Sequence, residues 1–232
     1  MTTALVTGAG SGIGRAVAVA LSQRGVNHLT LVDIDAAGLQ ATADLLEAES
    51  LPITADVGDE EQLTAAFDAC AAQSGRIDIV VNNAAMMTPS PGFLDADMAV
   101  VDRVLATNVR GVLLGIRLAR LHMAPAGGGS IVNTASGAGK VPLPTDPLYA
   151  ATKAAVINLT RSSAPVLAAD GITINAVCPG VVDTPMLKAD GQPDNIEALL
   201  AEIDLLSADE VAAMIADLAL DPARTGEAPS IL

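Results

Sequence analysis

The chain has 232 residues, a formal net charge of -15, 51% apolar residues, one Tyr, two Phe and no Trp. Such a length buries a substantial core, and so acidic a balance argues against nucleic acid or an anionic membrane surface as a partner, because both are bound through basic patches. Cys70 and Cys178 have no Cys or His neighbour at ligand spacing, so they read as small buried hydrophobes, with no metal site and no need of an oxidising compartment. Thr2 to Thr7 lack the basic start and cleavage site of a signal peptide. Arg103, Arg110, Arg117 and Arg120 interrupt the longest apolar run before it could span a bilayer, so the expected location is the cytoplasm.

Ala4 to Thr7 reads as a strand, and the glycine-rich turn from Gly8 to Gly14 leads into an Ala/Val-rich helix that ends near Gly25. Strand, glycine turn and helix form the context in which backbone N–H groups at a helix N-terminus receive a diphosphate. The spacing is Thr7-Gly8-x-x-x-Gly12-x-Gly14, with neither G-x-G-x-x-G nor a P-loop in any register. Leu29 to Val32 is a second strand ending in Asp33, nineteen residues beyond Gly14. A carboxylate there accepts both hydroxyls of an adenosine ribose and repels a 2'-phosphate, and neither Ser11 nor Ile34 offers a cation, so NAD(H) is expected. Asp35 suits a helix cap.

A helix is expected over residues 36–49 and a third strand over Ile53 to Ala55, followed by Asp56-Val57. Asp59 opens another helix, and the apolar run Ile77 to Val81 suits the buried centre of a parallel sheet. Asn82-Asn83-Ala84 stands at its carboxyl end, where open parallel sheets bind ligands. Asp97 to Met123 reads as two consecutive helices with Asn108 and Gly111 between them. Asn has no propensity reason to sit there, which points to a functional amide or a local irregularity. Ser130 to Thr134 is a fifth strand with Ser136 just beyond, and Ile172 to Cys178 is a sixth that turns at Pro179-Gly180 toward Thr184. A helix from Ala208 to Leu220 closes the chain.

Tyr149, the sole tyrosine, begins a helix that also carries Lys153. At i and i+4 the ammonium lies within about 6 Å of the ring. A nearby cation lowers the phenol pKa from its usual value near 10 and makes it a usable base. Six strands alternating with helices give an α/β fold: a Rossmann-type doubly wound parallel sheet with helices on both faces, in a single domain over residues 1–232.

These motifs in this order, with Ser136 thirteen residues before Tyr149, resemble the short-chain dehydrogenase/reductase family over Thr3 to Met186, about four fifths of the chain. The resemblance implies an oxidoreductase with a tetrad of Asn108, Ser136, Tyr149 and Lys153. Tyr149 would exchange a proton with the substrate oxygen, Ser136 would position and polarise that oxygen, Lys153 would hold the nicotinamide ribose and depress the Tyr149 pKa, and Asn108 would keep a water in a proton relay. It also implies cofactor contacts from Gly8, Ser11, Gly12, Ile13 and Gly14, from Asp33 to the adenosine ribose, from Asp56 and Val57 to the adenine, from Asn82 to the inner ribose, from Ala84, Pro179 and Gly180, and from Thr184 to the carboxamide.

The family's seventh strand has only Gly226 to Leu232 available here, and Pro229 makes it short or places it at an edge. The substrate lid, residues 187–207, is brief. A homo-oligomer is expected, and a dimer through the 97–123 and 149–169 helices needs neither segment. Met86, Met87, Pro142, Leu143, Pro144, Met186 and Leu187 would line the pocket, with Lys140 and Lys188 as its nearby cations, which suits an apolar secondary alcohol or ketone, cyclic or steroid-like. The alternatives are an epimerase or dehydratase that retains its NAD, and a non-catalytic nucleotide-sensing module.

Overall fold

The computed structural model describes residues 1–90, 92–188 and 204–232. The strands are β1 (Thr3–Thr7), β2 (His28–Asp33), β3 (Glu49–Thr54), β4 (Ile79–Asn82), β5 (Gly129–Thr134), β6 (Ile172–Pro179) and β7 (Ser230–Ile231). The α-helices are α1 (Gly12–Gln23), α2 (Ala36–Ala43), α3 (Glu60–Ser74), α4 (Met98–Leu105), α5 (Gly111–Met123), α6 (Pro147–Leu167) and α7 (Ala208–Leu220). The seven strands form one sheet in the order β3-β2-β1-β4-β5-β6-β7, and every pairing is parallel. The order reverses between β1 and β4, and ligands of such sheets bind in the crevice beyond the strand ends at that reversal.

Alternation along each strand divides the core in two. Leu5, Val80, Ile131 and Ile174 pack with Leu63 and Phe67 of α3, with α5, and with Val156 of α6. Their neighbours Val6, Val81, Val132 and Val177 pack on the other face with Val17 and Leu21 of α1 and Val211 and Ile215 of α7. A strand with apolar residues on both faces needs helices on both, which is why β4 reads as a continuous apolar run. No helix among the described residues is long and apolar enough to cross a membrane.

The expected helix over 36–49 stops at Ala43, and β3 begins at Glu49. Leu45 to Ala48 are good helix formers, but the Ser22 hydroxyl accepts the Glu47 and Ala48 amides at 3.2 and 3.1 Å and holds the chain in a turn there. The tail behaves as expected. β7 is two residues long at the sheet edge, and Pro229 contributes its carbonyl to the Cys178 N–H at 2.9 Å, so its missing donor costs no ladder bond. Buried Asn175 brackets the approach to this strand, donating to Arg224 O at 2.8 Å and accepting from Glu227 N at 3.0 Å. Of the expected lid, residues 189–203 lie outside the described residues.

Candidate active site

The turn between β1 and α1 is shaped by its glycines. Gly8 and Gly12 have φ of +65° and +50°, a region that side chains with a Cβ rarely enter. A Cβ on Gly14 would overlap the Gly8 carbonyl, and one on Gly12 would approach Thr184 Cγ2 to 3.1 Å. The exposed Ser11 makes no side-chain cap bond, so the first turn of α1, with Ile13, presents its N–H groups and the positive end of its dipole. Thr184 thus faces the turn from beyond β6, with Pro179 and Gly180 at the end of that strand. A diphosphate fits this backbone cradle.

Asp33 ends β2 beside the turn. Its Oδ2 accepts from Gly10 N at 2.9 Å and its Oδ1 from Asp35 N at 3.0 Å. Asp35 caps α2 through Ala37 N, as expected. The guanidinium of Arg15 is tied to the carbonyl of Gly10 and to Thr42 Oγ1, the latter at 3.0 Å. Beyond β3, the exposed Asp56 closes a small turn on Gly58 N at 2.8 Å, while Val57 is buried against Gly111, where a Cβ would come within 2.9 Å of Val57 Cγ2.

The structure corrects the expectation for Asn82. Its amide is 3% exposed and donates to Asn133 Oδ1 at 2.9 Å, and a Cβ on Gly115 of α5 would overlap it. The side chain is therefore spent in the core and does not reach toward a ribose. Strand alternation explains this, since Asn82 shares a face with Val80 and that face is covered by α5. The next residue, Asn83, serves the site instead. Its Nδ2 donates to Thr7 O at 3.1 Å and Gly8 O at 3.3 Å, and its Oδ1 accepts from Thr134 Oγ1 at 3.1 Å. Ala84 packs against Gly8 and its N–H donates to Thr7 Oγ1 at 3.1 Å.

Asn108 sits in a local irregularity, the second of the two readings its sequence context allowed. Residues Ala106–Arg110 form a π-helical turn between α4 and α5, and the Asn108 side chain is fully buried within it. Its Oδ1 accepts from Met86 N and its Nδ2 donates to Met86 O, both at 2.8 Å, and Nδ2 also reaches Thr152 Oγ1 at 3.1 Å.

Asp146 caps α6 and Pro147 occupies its first turn, so the helix starts two residues before Tyr149. Lys153 Nζ lies 5.5 Å from the Tyr149 ring centroid, as the spacing predicts, and donates to Thr134 O at 2.7 Å. Ser136, just past β5, can hydrogen-bond the Tyr149 oxygen. The direction of the phenol shift differs from expectation. Burial pushes Tyr149 up to about 12, with the Asp146 charge adding to the rise and Ser136 opposing it. Burial also pulls Lys153, 2% exposed, down to about 8. The same dry surroundings that raise the phenol weaken the ammonium expected to lower it.

Met86, Met87, Leu143, Met186 and Leu187 are half-buried, whereas Pro142 and Pro144 are exposed. Lys140 is not a pocket cation. Its Nζ donates to Ala228 O at 2.5 Å and Ser230 Oγ at 2.8 Å and fastens the tail. The sequence reading names Asn83 only as part of its motif, with no role of its own, and does not single out Asp146. An Asp-Pro pair just before Tyr149 was the available signal for the second.

A family model described as short chain dehydrogenase matches residues 2–195. The chain is 39% identical over 226 residues to cis-4-hydroxycyclohexanecarboxylate dehydrogenase of Sinomonas cyclohexanicum, covering 95% of this chain and 90% of the relative. It is 41% identical over 207 residues to 2-(R)-hydroxypropyl-CoM dehydrogenase of Xanthobacter autotrophicus, covering 86% and 82%. Its structure is similar to the crystal structure of levodione reductase, with a TM-score of 0.92 at 35% identity, covering 99% of this chain and 95% of that one.

Proposed function

The chain belongs to the short-chain dehydrogenase family, and from that premise we propose that it transfers hydride between NAD(H) and an apolar secondary alcohol or ketone, with Tyr149 as general acid/base. The observation that carries this reading is the convergence of Tyr149, Lys153 and Ser136 at the carboxyl ends of the central strands. Bound nicotinamide supplies the two-electron hydride acceptor or donor. The glycine turn would hold the diphosphate, Asp33 the adenosine ribose, Asp56 and Val57 the adenine, and Thr184, Pro179 and Gly180 the nicotinamide end. Ser136 Oγ holds the substrate oxygen, and Tyr149 Oη takes its proton in oxidation or returns it in reduction. Thr134 O occupies one of the three Lys153 donors, and the other two would be left for the cofactor ribose. Asn108 anchors the cleft wall through Met86.

The names of two relatives describe secondary alcohols, one of them on a cyclohexane ring. The half-buried methionines and leucines around the site suit a cyclic, largely apolar substrate in this chain. NAD is preferred because Asp33 would face a 2'-phosphate with like charge, while Nε and Nη2 of Arg15 are committed elsewhere. Across a panel of cyclic secondary alcohols, reduction of NAD is expected to exceed that of NADP by about 10²-fold, and Asp33→Ala to narrow the gap roughly tenfold. Equal or better use of NADP by the wild type overturns the cofactor assignment. NAD binding without turnover of any alcohol would favour a retained-cofactor epimerase or a sensing module.

The same reading includes a homodimer. Leu105 of α4 and Leu113 and Leu121 of α5 are 41%, 46% and 60% exposed, and Val166 of α6 is 62% exposed. These side chains offer an apolar surface of the kind a second copy covers. Analytical ultracentrifugation is expected to give twice the chain mass for the wild type and a monomer for Leu113→Asp. A monomeric wild type at micromolar concentration removes the dimer from the proposal.

A further inference from the structure

Asp146 does more than cap a helix. Capping needs only the bond from Tyr149 N to Oδ1, at 3.0 Å. The same Oδ1 accepts from Thr88 Oγ1 at 2.7 Å, Oδ2 accepts from Thr88 N at 2.8 Å, and the residue is 5% exposed. Thr88 lies six residues beyond the end of β4, two past Met86, whose backbone is bracketed by Asn108. Asn108 in turn donates to Thr152, and Thr152 Oγ1 donates to Tyr149 O at 2.7 Å. Asp146 and Thr152 stand three residues before and three residues after Tyr149, so the Met86–Thr88 segment is strapped to α6 on both sides of the phenol.

We propose that Asp146 is a positioning residue for the reaction, one that fixes the Met86–Thr88 wall of the substrate cleft against Tyr149 and sets a buried carboxylate at the N-terminus of the phenol's own helix. This rests on the dehydrogenase reading for its kinetic consequence, but not for its electrostatic one. Among the described residues, the groups facing Tyr149 are Lys153 on its own helix, Ser136 at the end of β5, and Asp146, while Cys178 on β6 acts on Lys153. Met86, Met87 and Thr88 bring no titratable group from the loop. Asp146 opposes the phenolate and Ser136 favours it, so removing the carboxylate charge lowers the pH at which Tyr149 ionises.

Tyr149 is the sole tyrosine and the chain has no Trp, so the near-ultraviolet absorbance of tyrosinate reports this one residue without a substrate. The test compares wild type, Asp146→Asn and Thr88→Val by that titration, over the pH range in which circular dichroism stays native, and by pH profiles of NAD-dependent alcohol oxidation. Asp146→Asn keeps the size and the cap but removes the charge and sets an amide donor against Thr88 N. Its tyrosinate signal and the rising limb of its oxidation profile are expected about one pH unit lower than in the wild type, with KM raised severalfold. Thr88→Val keeps the charge and loses one strap, so KM is expected to rise while the titration stays in place. Superimposable titrations and profiles with unchanged KM in Asp146→Asn would reduce the residue to an exchangeable cap and overturn the proposal. If Asp146→Asn does not fold, unchanged KM in Thr88→Val overturns it. A shifted titration in a protein that oxidises no alcohol upholds the Asp146 assignment and counts against the dehydrogenase reading alone.

Discussion

Tyr149→Phe is expected to lower kcat/KM for alcohol oxidation by about 10²–10⁴-fold, the range that a positioned general acid/base contributes. Folding and NAD binding should stay close to those of the wild type. The ring is half-buried and the phenyl group of the variant fills the same space, while the α6 cap is made by the Tyr149 backbone N–H and survives the change. What disappears is the oxygen that Ser136 and the substrate share. Steady-state kinetics together with NAD titration by calorimetry checks the prediction. Retention of more than about a tenth of wild-type kcat/KM would assign the proton transfer to another group.

Lys153→Met should abolish turnover and yet make the cofactor-free protein more stable. The ammonium is buried, with the Thr134 carbonyl as its hydrogen-bond acceptor and the Tyr149 ring 5.5 Å away, and burial pulls its pKa down from 10.5 to about 8. Holding it charged at neutral pH costs roughly 3 kcal/mol, at about 1.4 kcal/mol per unit. The lost hydrogen bond and cation–π contact return roughly 1–2 kcal/mol of this. Methionine fills the volume without a charge, so a net gain of about 1–2 kcal/mol is expected, or a few degrees in Tm.

The sign of the pH dependence is fixed. Below pH 8 folded and unfolded chains both carry the proton and the penalty is whole. Between about 8 and 10.5 the unfolded chain holds more protons than the folded one, so wild-type stability rises with pH relative to the variant. Tyr149, raised from 10 to about 12, acts in the opposite sense, and both proteins lose stability as pH climbs through that interval. Thermal melts from pH 6 to pH 10 check this, and a variant less stable than wild type at pH 7 would mean that the buried ammonium is better paired than its contacts indicate.

Much of this was legible in the sequence because the local signals and the sheet agree. The glycine spacing, Asp33 at the end of β2, the Asp59 cap and the i, i+4 pair on α6 each follow from one short segment. What escaped reading depends on residues distant in the chain. Glu47 and Ala48 are turned by Ser22, twenty-five and twenty-six positions earlier. The roles of Asn82 and Asn83 are set by which face α5 covers, a matter of strand parity that two consecutive amides disguise. Lys140 looks like a pocket cation until the tail returns beside it, eighty-eight residues on. The phenol shift was missed because the spacing gives the distance of the charge and not the dryness around it.

The π-helical turn at Ala106–Arg110 sets a limit on how this helix pair tolerates insertions and deletions. Such a turn is an α-helix with one residue too many, so deleting a residue there would restore regular geometry and improve the local backbone hydrogen bonding. The wider turn absorbs the extra residue, so the same deletion would leave α5 in nearly its present phase, whereas losing a residue from the regular part of either helix would rotate everything beyond it by about 100°, the angle of one residue on a helix. With the turn shortened, Gly115 would go on facing Asn82, while Asn108, inside the turn, would leave Met86. Loss of the extra residue therefore exchanges the Asn108 bridge to Met86 for a regular helix, and a length change within α5 itself, which would swing Gly115 away from Asn82, should be much rarer than one in the turn between α2 and β3.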